Sequence, residues 1–126
     1  MRKLLIRTLS QLSKLPIIGK TFWLYLAAAA AGDSARAIQA EQYKYAFHIV
    51  QRFEGDEIDD PYLSRCQYHL GYLLFRGLGT EKDTRRAIVV LERAASNGSR
   101  NAIDFMRQRS KRLEKGETGE HFQPNM

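Results

Sequence analysis

One cysteine, three prolines and one tryptophan stand in a chain of 126 residues. Cys66 alone excludes an intramolecular disulfide and a cysteine-cluster zinc site. The histidines, His48, His69 and His121, lie too far apart in sequence for a helical metal pair, so neither metal nor cofactor is expected. No apolar run approaches the roughly 18 residues of a bilayer-crossing helix. Period-two alternation is missing too, which argues against strands. Acids are absent from the first 32 residues; Asp33 is the first carboxylate.

That last absence explains the net charge of +6. Arg2, Lys3, Arg7, Lys14 and Lys20 take five of the 20 basic residues, leaving 15 against 14 acids from Asp33 onward. A nucleic-acid binder spreads positive charge over a face of its fold. Here the charge is confined to one end, and no nucleic-acid partner is expected.

Residues 1–32 form a basic, apolar N-terminal segment. Leu5, Leu9 and Leu12 fall on one side of a helix over residues 1–15, with Lys3, Arg7 and Lys14 opposite. Pro16 interrupts the pattern. An uncharged run from Thr21 to Gly32 follows; as helix it reaches about 18 Å, short of the ~30 Å hydrocarbon core. Three readings stay open. The segment is a structural first helix, a helix lying on an anionic membrane surface through residues 1–20, or a signal peptide cut near Ala31. The first two favour the cytoplasm or its membrane face; the third places the chain in the periplasm or outside the cell.

Residues 33–114 read as helices joined by turns. Ala35, Ile38, Ala46, Ile49, Val50 and Phe53 recur near helical spacing over Ser34–Glu54, with a turn near Gln42. The acid cluster Asp56, Glu57, Asp59 and Asp60 lacks the order of a calcium loop and reads as a solvated loop feeding the next helix N-terminus. Helices are then expected over Tyr62–Arg76, ended by Gly77, and over Thr84–Asn97, capped by Asp83 and closed by Gly98. A last helix, Arg100–Glu114, carries Ala102, Phe105, Met106 and Leu113 on one side. Residues 115–126 form a polar tail, expected to be disordered.

Within Cys66–Met106 stand Leu70-Gly71, Gly77 and Gly79, Asp83, Ala87, Ala94-Ala95, Gly98 and Ala102. This series resembles the Sel-one-like repeat family, whose units are tetratricopeptide-like helical hairpins. Cys66, Leu74 and Thr80 depart from that pattern, which favours alanine, tyrosine and valine there. The resemblance covers about one-third of the chain. It implies an all-α fold, a short α-solenoid of antiparallel hairpins with a C-terminal capping helix. Physics supports the same architecture. A mid-helix glycine such as Gly71 costs about 1 kcal/mol against alanine, so close packing must justify it. The small residues Ala87, Ala94 and Ala95 are the expected neighbours. Since solenoid units stabilise one another, Ala35–Phe53 reads as a degenerate first hairpin.

No pairing of nucleophile and base emerges. Cys66 shares a packed stripe with Leu70 and Leu74, Glu81 and Asp83 belong to a turn and a cap, and no enzyme is expected. The resemblance instead implies a protein-interaction adaptor or scaffold, bacterial relatives including envelope-assembly factors and toxin inhibitors. A peripheral membrane or exported envelope factor is the alternative, and a homo-oligomer stays open. Because the first helix of each hairpin tends to line the concave side, the stripe Tyr62, Arg65, His69, Tyr72 and Arg76 is the candidate partner surface. Packing of these tyrosines on the first hairpin is the competing reading.

Overall fold

The computed structural model describes residues 17–116. Five α-helices follow in order: α1 Ile17–Gln39, α2 Tyr43–Val50, α3 Pro61–Arg76, α4 Thr84–Ser96 and α5 Arg100–Glu114, with a 3-10 turn at Gln51–Phe53. No strand occurs among the described residues. The helix expected over residues 1–15 and most of the expected tail lie outside the described residues.

α1 and α2 pack as one hairpin and α3 and α4 as a second, the latter sharing the most extensive contact in the molecule. α1 also lies along α3, while α5 packs on α4. This is the short all-α solenoid that the resemblance implies.

The unbroken α1 differs from the expected organisation. It runs straight through Gly32 and Asp33, where the change in charge suggests a boundary. Charge balance reports on the solvent-facing side of a helix, whereas continuity follows from the Ala27–Ala31 run, rich in the strongest helix former. Trp23, Ala27, Ala30 and Ala31 are core residues, joined further along by Ala37 and Ile38. The first hairpin therefore begins well before Ala35. A cut near Ala31 would take Trp23 and Ala27 out of the core.

Local chemistry ends each helix. α1 closes with Gln42 N–H donating to the Ala37 carbonyl at 2.8 Å, while Glu41 takes a left-handed φ of 59°. α2 is short because its amphipathic pattern is short; Ala46 and Val50 are buried, as is Phe53 just beyond. At α3 the Asp60 carboxylate accepts from the Tyr62 and Leu63 amides at 3.1 and 3.0 Å, with Pro61 at the first helical position. Gly77 ends α3 in the left-handed region, φ 69°. Asp83 caps α4 through the Arg86 amide, and Ser99 caps α5 through the Ala102 amide.

The two motif glycines that matter most make close approaches. A Cβ on Gly71 would sit 2.5 Å from Leu91 Cδ2 and 3.5 Å from the Ala87 carbonyl oxygen. The neighbour filling that space is Leu91, with Ala87 contributing backbone, rather than the expected alanine side chains. On Gly79, φ 74°, a Cβ would meet the Tyr43 carbonyl group at 2.4 Å. The turn of the second hairpin thus rests on the start of α2.

Leu113 sits elsewhere than the pattern suggests: placed on the packed side of the last helix, it is 45% exposed. Arg93 is half-buried, donating to the Glu54 carbonyl at 3.0 Å.

Candidate interaction surface

The stripe proposed on α3 divides into an outer and an inner part. Tyr62 is 46% exposed, and the Arg65 guanidinium lies 5.9 Å from its ring centroid. Arg76 is exposed as well and donates from Nη1 to Tyr72 Oη at 2.9 Å, its guanidinium 5.4 Å from that ring. Tyr72 itself is 8% exposed and His69 only 4%. Those two belong chiefly to packing, because α1 lies against this side of α3.

His69 meets Ser34 of α1, Nδ1 to Oγ 2.6 Å, and Ser34 Oγ donates to the Ala31 carbonyl at 3.2 Å. Donor and acceptor in the shorter contact follow the imidazole tautomer. Burial pushes the His69 pKa down to about 4, with Arg65 adding repulsion. A serine beside a histidine resembles a nucleophile and its base. Ser34, however, is fully buried, and the pair fastens α1 to α3.

Cys66 makes the next fastening. Its thiol donates to the Ala27 carbonyl at 3.3 Å, and burial pushes its pKa up to about 12. Such a thiol stays protonated near neutrality and is a poor nucleophile.

The acid loop carries an arrangement that composition does not announce. Trp23 Nε1 donates to Asp56 Oδ2 at 2.6 Å, with the Trp23 and Phe53 rings 4.8 Å apart. Gln67 Nε2 donates to the carbonyls of Phe53 and Asp56 at 2.9 and 2.8 Å. Asn97 Nδ2 reaches the same Asp56 carbonyl at 3.0 Å and Gln67 Oε1 at 2.9 Å. Arg86 pairs with Glu54 through two hydrogen bonds, 2.9 and 2.6 Å, an arrangement that raises the guanidinium pKa. Asp60 acts as the expected cap, but Asp56 is a fixed acceptor rather than a solvated loop charge. Gln67 and Asn97 were readable only as polar residues at helical core positions.

Two helical hairpins packed on one another, with a close glycine at the α3–α4 crossing, define an α-solenoid repeat architecture. The Sel1 repeat family model matches residues 18–33 and 64–99, so these two segments are similar to Sel1 repeats. The first match lies within α1, the second runs from α3 through α4 to Ser99. No curated protein and no solved structure matches the chain. Sel1 repeats are protein–protein interaction modules and typically non-catalytic. Among the described residues no helix is long and apolar enough to cross a membrane.

Proposed function

We propose that this chain is a small adaptor that holds a protein partner against the outer part of the α3 stripe, Tyr62, Arg65 and Arg76. The exposed Tyr62 ring beneath the Arg65 guanidinium carries this reading. Aromatic rings and arginines dominate interface energetics, and a ring left half in solvent beside a cation is ready to be covered. Tyr25 and Phe22, exposed on α1, add apolar surface on the first helix of the preceding hairpin. His69 and the Tyr72 ring support the stripe from beneath.

The test places a photo-crosslinking amino acid at position 62 in cells that make the protein, with position 89 on α4 as the contrast. A discrete adduct at 62 and none at 89 is the expected result. The variant Tyr62→Ala with Arg76→Glu should lower affinity for the crosslinked protein at least tenfold, about 1.4 kcal/mol, with melting nearly unchanged. Equal crosslinking at both positions rejects the surface. Tyr72 is left intact, because replacing so buried a ring would disturb packing.

A further inference from the structure

A cleft of ≈ 330 Å³ opens between α3 and the start of α5, lined among others by Ser64, Arg65, Tyr68, Ser99, Arg100 and Asn101. Its polar groups are mostly donors. Arg65 and Arg100 bring guanidiniums and are both exposed. The first amides of α5 have no intrahelical acceptor, and a 15-residue helix directs positive potential from that end. Ser99 satisfies one such amide, Ala102 N–H, at 3.2 Å.

Tyr68 supplies the second and independent observation. The residue is 2% exposed, yet its phenolic oxygen has no hydrogen-bond partner among the described residues. A buried hydroxyl left unpaired is destabilising, and folds seldom keep one without a use. A helical side chain leans toward the preceding turn, which for Tyr68 means toward Ser64 and Arg65 on the cleft wall. The hydroxyl is a donor waiting for an acceptor.

Two acids stand near. The Asp60 carboxylate is occupied by the amides of Tyr62 and Leu63. Asp59 Oδ1 lies 3.2 Å from where a Cβ on Gly98 would be, which puts it at the rim. Against it stand two guanidiniums, an unpaired hydroxyl and a helix N-terminus.

We propose that this cleft binds a small oxyanion, a phosphate or carboxylate group, held by Arg65, Arg100, the first α5 amides and the Tyr68 hydroxyl. The group is an acceptor, because the lining offers donors. Arg65 is shared with the partner surface described above, but Tyr68 and Arg100 are not, so variants at those two residues test the cleft apart from that surface.

The test titrates the full chain with sodium phosphate and with sodium acetate, against sodium chloride at matched ionic strength, following backbone amides by two-dimensional NMR. Saturable shifts at Arg100 and Asn101 are expected with phosphate, with acetate, or with both. Saturation by phosphate alone assigns a phosphoryl ligand; saturation by acetate assigns a carboxylate. Arg100→Gln should weaken binding at least tenfold, Tyr68→Phe at least threefold, and Asp59→Asn should tighten it. Tyr68→Phe should melt at or above the wild-type temperature, since it removes an unpaired buried hydroxyl, so its loss of affinity would not reflect unfolding. Linear shifts that chloride reproduces, or saturation unchanged by both Arg100→Gln and Tyr68→Phe, overturn the proposal.

Discussion

The two hairpins solve the same packing problem by different means. In α3–α4 the backbones approach through Gly71, and the space a side chain would occupy belongs to Leu91. In α1–α2 a 23-residue helix meets an 8-residue one, and much of the specificity comes from its bonds to the next unit. Trp23 reaches Asp56, Ser34 reaches His69, and the Ala27 carbonyl receives Cys66. A hairpin with the repeat spacing is held from within. One that keeps only part of it is held by its neighbour.

Gly71→Leu should have the largest effect on that contrast. The new side chain would start inside the position of Leu91, a fully buried residue with nowhere to move. A loss of about 4 kcal/mol or more is expected in urea unfolding, with Gln108→Ala as an exposed control within ~0.5 kcal/mol. Equal midpoints for the two variants would remove the close crossing from the account.

Trp23→Ala tests the other hairpin and should cost about 3–4 kcal/mol, from the lost ring and its hydrogen bond to Asp56. Trp23→Phe should recover more than half. If the alanine variant lost under 1 kcal/mol, α1 would be an accessory to a fold complete without it.

Acid should loosen the contact between the hairpins. Above pH 6.5 His69 is neutral in folded and unfolded chains alike, and stability is full. Below that the unfolded chain takes up a proton that the folded one refuses until about pH 4. Stability therefore falls across that window, by up to ~3 kcal/mol. In His69→Gln the slope of melting temperature against pH should flatten there; an unchanged slope would assign the acid sensitivity to carboxylates.

Glu41→Gly should act least. Its left-handed φ strains any side chain, so glycine relieves the turn and raises stability by about 0.5 kcal/mol net of its greater freedom when unfolded. A loss of that size would indicate that the Glu41 side chain contributes to the turn.

Legibility in the sequence followed the same division. From Asp60 to Gly98 the caps, the turn glycines and the small residues sit at fixed spacings, and each has a local physical meaning. Gly71, Gly77 and Asp83 could be assigned before any coordinates. In the first hairpin the run of alanines stated helix but not where it ended, and the onset of acids at Asp33 suggested a boundary inside α1. The α3 stripe was readable as a face, yet its inner members depend on where α1 lies. Nothing within α3 says that His69 faces Ser34. Trp23 with Asp56, Gln67 with Asn97 and Tyr68 beside α5 are relations across 30 or so positions, and local spacing carries no information about them.

The connector between the hairpins receives side chains from α1, α3 and α4 at once, at Asp56, Phe53 and Glu54. In a repeat array each unit ordinarily senses only the surface of the next, and the ends fray independently. Here, opening either unit strips acceptors in the linker that the other still needs. The free energy of partial unfolding should thereby rise toward that of complete unfolding, and the domain is expected to melt as a single cooperative unit rather than one repeat at a time. Amide exchange in α1 and α4 should accordingly slow to a common rate, a thermodynamic coupling carried by the linker between them.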